Sequence, residues 1–459
     1  MSTQKMTNTE KRAVISLSSI MGLRMIGLFM VLPVFTLYAE QLKGATPTLI
    51  GLSLGIYGLT QAFFQMPFGS LSDRWGRKPL IILGLLLFTV GSFLCAMTHS
   101  ITLMIVGRAL QGSGAIGSTT LAMLADLTRE EQRTKSMAIA GISIGFSFSL
   151  AMLLGPLLTT WFPIPHLFYL AMGCSLFAIL ILYRFVPSPT IKRSSSDTKT
   201  GWQSFLKILT HPELAKLNSG IFILHALFTA SFIVIPMSIS RNTGYGAHEQ
   251  WLIYLPTLLA SFVMTLIIVG IAERKQKLKF LFLTSISLLT ASELFFWLAP
   301  QSLWLIVVSL GLFFTGFSSL EAFLPSFISR IAPLGKKGSA LGIFSSAQFL
   351  GIFVGGVFGG WLYGKFSFDG VYAFCTLLSC FWLILAFFMQ PPQHVTTQVW
   401  RFPHNSIDWN LLAEKLHVIP GMLEVTFIVE DSIVYLKMER GTLKHPDFIR
   451  LQKHTTESI

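Results

Sequence analysis

The chain has 459 residues, 52% of them hydrophobic and 12% charged, with 40 Phe. A soluble surface carries about twice that share of charge, so a string of water-exposed domains is excluded. The net charge of +13 would suit a nucleic-acid partner if the basic residues gathered on one folded face, but they are dispersed between apolar blocks, and no nucleic-acid partner is expected.

A polar start, residues 1–12, runs directly into an apolar block too long for the core of a cleavable signal, and is expected to be a cytosolic N-terminus. Apolar blocks of about twenty residues, the length that crosses a ~30 Å hydrocarbon layer as helix, follow twelve times. They fall at about 13–38, 46–68, 79–98, 101–125, 136–161, 165–186, 217–240, 250–272, 280–299, 302–327, 337–363 and 370–389. Between the sixth and seventh, Pro187-Ser-Pro, Lys192-Arg193 and Ser194-Ser-Ser read as a solvated linker. The expected division is a six-helix bundle over 13–186, a linker over 187–216, a second six-helix bundle over 217–389, a short linker over 390–396 and a soluble domain over 397–459.

Lys and Arg crowd the loops of one side. Lys43, Arg241 and Lys365 fall in loops on the other side, and Arg24 and Arg108 fall within spans. The positive-inside preference therefore predicts both termini in the cytoplasm. The basic surplus is an orientation signal.

From about Thr397 the composition changes. Residues 399–402 read as a strand, 407–418 as an amphipathic helix, Pro420-Gly421 as a turn, 425–429 and 433–438 as a hairpin, and 445–454 as a helix. The βαββα order predicts a small α+β domain whose own core is marginal. The fold class expected is an all-α polytopic membrane protein with 12 transmembrane helices in two six-helix halves, followed by that domain.

The halves overlay with an offset near 200 residues: Asp73-Arg74 falls on Glu273-Arg274, Gly155 on Gly355, Arg24 beside His225 and Pro33 close to Pro236. Two parallel halves of this kind place a substrate site between them near the midplane. The four cysteines, Cys95, Cys174, Cys375 and Cys380, lie in apolar blocks without metal-ligand or redox spacing, and read as small buried residues. With no P-loop, metal cluster or catalytic triad in the sequence, no cofactor, no metal and no enzymatic activity are expected.

Loop 2–3 reads Gly69-Ser-Leu-Ser-Asp73-Arg74-Trp-Gly76-Arg77-Lys78-Pro79. A solvated positive-inside turn explains its basic residues but not its glycines or its acid. Glycine lets backbones approach closely, Asp73 suits the positive N-terminal end of a neighbouring helix, and Asp126, at the inner end of span four, is the best-placed partner for Arg77.

This string resembles the signature loop of the major facilitator superfamily, G-x-x-x-D-R-x-G-R-K, and matches it in full; the resemblance covers about 13–390. It implies alternating access, and it assigns Gly69, Asp73, Arg74, Gly76, Arg77, Lys78 and Asp126 to a gating latch between helices of opposite halves that stabilises the outward-open state. Loop 8–9, Gly270-Ile-Ala-Glu273-Arg274-Lys275, is similar to a degraded second copy. In span four, Arg108-Ala-Leu-Gln111-Gly112-Ser-Gly114 is similar to the family's second motif, whose buried Arg is associated with proton coupling in exporters. The span-five pattern of its drug antiporters is represented by Gly141, Gly145, Gly155 and Pro156, with departures at Ala151 and Thr159-Thr160.

Stretches 24–33, 55–61 and 126–130 are similar to a bacterial inner-membrane branch of the family that carries a C-terminal ferredoxin-like cytosolic domain, which the tail resembles. The tail also resembles heavy-metal-associated domains. Its first strand–helix loop, 403–408, lacks their cysteine pair, so His404 reads as a surface residue.

A charge at mid-bilayer costs about 2.5–3.5 kcal/mol on insertion scales, which makes intramembrane ionisable residues functional candidates. Arg24 and His225 lie near the middles of spans one and seven. His225 suits a proton site or a neutral interhelical bond; Arg24, which keeps its charge, suits an anionic substrate, a carboxylate or a structural pairing. Glu321, nearer the inner end of span ten, suits a gate or proton role, and Glu293 in span nine a structural one. Gln61 and Gln65, four apart, place amides on one face of span two. Gly351, Gly355 and Gly359 recur every fourth residue in span eleven, as do Gly356 and Gly360, the spacing of close helix packing.

The expected function is a proton-coupled efflux carrier of small amphipathic solutes, similar to drug/proton antiporters, with a cytosolic regulatory domain. Its expected partners are the lipid bilayer, protons, a small-molecule substrate whose identity the sequence leaves open, and a ligand or protein for the C-terminal domain. A transporter-fold sensor and a proton-coupled importer or uniporter are the alternatives.

Overall fold

The structure, a computed structural model, describes residues 6–187, 208–275, 277–298, 302–333, 337–389, 395–402, 409–428, 432–439, 441–442 and 445–457. Most of the predicted central linker and the 403–408 loop lie outside the described residues, as do the side chains of Glu273 and Arg274. The chain divides into two compact units: 1–194, 218–323 and 342–389 form the first, and 195–217, 324–341 and 390–459 the second.

The first unit is helical throughout. Helix α1 (Asn8–Phe29) opens with a reciprocal capping box between Thr7 and Glu10. Pro33 then starts α2 (Leu32–Ala39), and the missing proline N–H interrupts the first span there. Thr46 caps α3 (Pro47–Trp75), and Gly76, at φ 96°, turns the chain into α4 (Arg77–Met97), a backbone state that suits glycine. Then come α5 (Ile101–Ser113), α6 (Gly117–Asp126), α7 (Glu130–Leu158) and α8 (Pro165–Phe185). The second half follows with α9 (Pro212–Thr243), α10 (Trp251–Lys275), α11 (Leu278–Leu298), α12 (Leu303–Ile331) and α13 (Lys337–Phe387), of which the start of α9, the end of α12 and the start of α13 belong to the second unit.

Among the described residues ten helices are long and apolar enough to cross a membrane. The other two crossings are concealed by segmentation. The fourth span is broken at Gly114–Ile116 into α5 and α6, each too short alone. The eleventh and twelfth run together as α13, jointed at Ser367, where φ is 58° and ψ −150°. The six-plus-six layout stands, with a broken fourth member.

In the second unit, β1 (Val395–Arg401), α14 (Trp409–His417), β2 (Met422–Ile428), β3 (Ile433–Glu439) and α15 (Pro446–Glu457) follow the predicted βαββα order. The sheet is antiparallel, ordered β1-β3-β2. Strand β1 begins at Val395, inside the segment read as linker, because β3 is paired along its whole length and Val395 lies opposite Glu439. Trp400, Leu412, Leu416, Val434, Leu436 and Phe448 fill the core. From central strand β3, the Lys437 ammonium donates to the carbonyls of Ile331 and Ala332 at 3.0 Å each. Helix ends leave such carbonyls without intrahelical partners, and a cation there also suits the helix dipole.

Candidate functional site

Three polar clusters lie inside or at the ends of the helical unit. The first is the loop 2–3 motif. Arg77 opens α4, pairs with Asp73 one turn back, donates to Asp126 Oδ2 at 3.1 Å and donates to Ser72 Oγ at 2.6 Å. Lys78 donates to the Val186 carbonyl at 2.6 Å, and Arg74 is exposed. The pairing with Asp126 is the predicted one.

Two details of that expectation change. Asp73 is held by Arg77 itself, and all three charges belong to the N-terminal half among the described residues, so in this conformation the cluster is not joined across the halves. Gly69 is not tightly packed, since a Cβ there would stand 3.6 Å from Ser118 Oγ, an ordinary contact. Gly76 is the motif glycine the backbone requires.

The second cluster centres on His225, buried in α9. Its Nδ1 lies 3.2 Å from the Ile221 carbonyl and must donate there, because a carbonyl only accepts. Its Nε2 lies 2.8 Å from Gln348 Nε2 and 3.1 Å from Glu321 Oε1. Gln348 Nε2 also stands 3.4 Å from Glu321 Oε1, so the amide bridges ring and carboxyl, and the two are close enough to share a proton directly. Glu321 keeps 33% of its side chain exposed against 3% for His225. The sequence placed Glu321 towards the end of its span and His225 in the middle; the structure brings them together.

The third cluster surrounds Tyr57 on α3. Arg24 Nη2 donates to Gln61 Oε1 at 2.7 Å and to the Tyr57 hydroxyl at 3.3 Å. Arg108, on α5, donates from Nη1 to Gln111 Oε1 at 2.8 Å, and Gln111 in turn donates to Ser92 Oγ at 2.8 Å. The Arg108 guanidinium stands 5.2 Å from the Tyr57 ring centre, in cation–π range. Arg24 and His225, near-equivalent positions in the repeat, thus sit in separate hydrogen-bond networks. Phe29, Phe148, Phe228 and Phe317 form an aromatic group beside His225, with Phe148 and Phe228 each touching Phe29 and Phe317.

The glycines of span eleven serve two faces. Gly351, Gly355 and Gly359 lie against Phe222, Ala226 and Ala230 of α9, within the C-terminal half. Gly155, beside Pro156, lies against the Met30 carbonyl in the N-terminal half, the repeat-equivalent contact to Gly355 on Ala226. Gly356 and Gly360 instead cross to α3: a Cβ on Gly356 would meet the Gly51 carbonyl oxygen at 2.6 Å, and one on Gly55 would meet that of Phe353 at 2.7 Å. This seam joins the halves at the end of α3 remote from the basic loop. Thr36 also donates across it to Phe232, and Arg241 stands 3.9 Å from Glu40. Burial pushes the Glu40 carboxyl up from its usual range while Arg241 pulls it down. Gly141 and Gly145 face open space.

Gly356→Val should therefore wedge the halves apart. Overpacking a tight contact costs about 1–3 kcal/mol, so the melting temperature of the purified protein should fall by several degrees and transport should drop with it. Gly173→Ala, with nothing within 4 Å of the added Cβ, is the matched control. Equal melting of the two variants would show that the seam tolerates a side chain.

Sequence reasoning left several members of these clusters without a role. Gln348 is an amide in an apolar span, the same signal that drew attention to Gln61. Tyr57 lies in the 55–61 stretch quoted for its resemblance. Glu293 is buried as expected of a structural acid, accepting from Ser231 Oγ at 2.6 Å.

The sequence profile described as Major Facilitator Superfamily matches residues 17–352 and 217–412. The chain is 41% identical over 439 residues to the inner membrane transport protein YajR of Escherichia coli (strain K12), covering 96% of this chain and 96% of that one. It is 24% identical over 352 residues to the quinolone resistance protein NorA of Staphylococcus aureus (strain MRSA252), covering 74% and 86% respectively. Among solved structures it is similar in fold to a bacterial homologue of the human lysosomal transporter Spinster in an inward-facing, occupied conformation. The TM-score is 0.66 at 14% identity, covering 83% of this chain and 97% of that one.

Proposed function

The chain belongs to the major facilitator superfamily, and from that premise we propose that it is a proton-coupled exporter of small amphipathic solutes, working by alternating access. The observation that carries the proton coupling is the His225–Gln348–Glu321 cluster, in which ring and carboxyl stand 3.1 Å apart, within reach of a shared proton. In this scheme the proton enters by the partly exposed Glu321 and is shared with His225. Gaining it turns a charged pair into a neutral one, and losing it restores the charge, on two helices of the C-terminal half, α9 and α12. The aromatic group beside His225 receives the apolar body of the solute.

The glycine seam closes one end of the halves, and the ion-pair cluster at the other is confined to one half. With the basic loops in the cytoplasm, that is an inward-facing state, and Asp73, Arg77 and Asp126 complete their latch across the halves when the protein turns outward. The small C-terminal domain, from β1 onward, acts as a cytosolic regulatory domain. Relatedness to a quinolone resistance protein supports export of drug-like solutes. The decisive test is flux of norfloxacin, a zwitterionic amphipathic probe, in proteoliposomes of the full chain under an imposed pH gradient. Accumulation should reverse sign when the gradient is reversed; flux indifferent to the gradient would end the proton-coupled reading.

A further inference from the structure

The N-terminal half buries two cations without burying an acid to balance them. Arg24 and Arg108 are each 5% exposed. Their hydrogen-bond partners among the described residues are the neutral Gln61, Tyr57 and Gln111, and Arg108 Nε is buried with no partner. The described acids of this half are engaged elsewhere: Glu10 with Arg129, Glu40 beside Arg241, and Asp73 and Asp126 with Arg77.

Both guanidiniums converge on one side chain. Arg24 reaches the hydroxyl of Tyr57 and Arg108 faces its ring. Tyr57 belongs to an apolar cluster with Phe88, against which Phe29 and Phe349 pack. Phe349 adjoins Gln348, the partner of His225, and Phe29 contacts the aromatic group beside His225. A buried charge persists only when something pairs with it, and here, among the described residues, no acidic group does.

We infer that the transported solute is an organic anion, whose carboxylate or other acid group is neutralised between Arg24 and Arg108 while its apolar body lies against the Phe29 side of the cavity. A planar guanidinium is built for such a group, offering several N–H donors in a fixed fork. This rests on the transporter reading, of which it specifies the substrate class.

The test compares three probes of one shape and different charge on the detergent-solubilised full chain: 2-naphthoate, neutral 2-naphthalenemethanol and cationic 2-naphthylmethylamine. By titration calorimetry, 2-naphthoate should bind at least about tenfold more tightly than the alcohol, and the amine more weakly than either. The R24Q/R108Q variant should reduce the carboxylate-to-alcohol ratio to about one, and R24K/R108K should keep a preference for the carboxylate. A wild-type ratio at or below one, no saturable binding of 2-naphthoate, or a ratio that survives in R24Q/R108Q would overturn the inference. If R24Q/R108Q is not monodisperse, the single R24Q and R108Q variants, each expected to lower the ratio, replace it. A protein that shows no charge preference yet moves norfloxacin with the pH gradient loses this inference and keeps the transporter reading; one that prefers the carboxylate but moves nothing keeps the anion site at Arg24 and Arg108 and loses the transporter reading.

Discussion

Asp73→Asn should leave the chain folded in the membrane and cut its transport about tenfold or more, within the range of a coupling free energy of 1–3 kcal/mol. The reasoning starts from the geometry of Arg77, which holds Asp73, Asp126 and Ser72 Oγ together. The two carboxylates keep 30% and 27% of their side-chain surface exposed, so either pair contributes little to folding, ~1 kcal/mol or less. Their value lies in the difference between conformations. A latch that must re-form across the halves loses one of its two negative charges in Asp73→Asn, and the outward-facing state loses support that the inward-facing one does not need. Norfloxacin flux, normalised to monodisperse protein recovered, checks this. Undiminished flux in Asp73→Asn would remove the cluster from the transport cycle.

His225→Ala should flatten the pH dependence of transport between about 5 and 8, the interval in which a histidine ordinarily titrates. On the proposed scheme, the proton between Nε2 and Glu321 Oε1 is gained as pH falls and lost as it rises, which changes the charge of the pair each time. Without the ring, Glu321 retains only the Gln348 amide, at 3.4 Å, and the shared proton has no second owner. Exchange of labelled for unlabelled norfloxacin, which needs no net proton movement, should persist in His225→Ala while gradient-driven accumulation is lost. Loss of both together, or a pH profile that matches the wild type, would contradict the assignment. Glu321→Gln should behave in the same way, because the proton needs both owners.

How much of this was legible in the sequence depends on the kind of interaction. The Arg77–Asp126 pair could be foreseen because a basic residue next to a span has few acids within reach. The order of the small domain could also be foreseen, since its strands alternate and its turns carry Pro and Gly. The nearness of His225 and Glu321 could not, because the relative depth of two residues on different spans is set by helix tilt, which hydropathy does not record. The two glycine stripes of span eleven share one spacing of four, so nothing in the sequence says that Gly351 faces its own half while Gly356 faces the other. Likewise Arg24 and His225 are equivalent in the repeat, yet their partners come from non-equivalent helices: Gln61 on span two, and Glu321 and Gln348 on spans ten and eleven.

The interruption of the fourth span at Gly114–Ile116 has a mechanical meaning. One unbroken rod would hand any tilt of Arg108 straight on to Asp126. Instead the two residues ride separate pieces. Ser118 and Thr119, on the piece that ends in Asp126, donate to the carbonyls of Gln65 and Phe68 on α3, the helix that also carries Asp73. Arg108 answers through Gln111 to Ser92 on α4. The fourth crossing is therefore an arm with a wrist. Both pieces hold the second helix, the outer one by close packing of Gly112 on the Tyr57 carbonyl and the inner one through Ser118 and Thr119, and the joint sets each at its own angle to it.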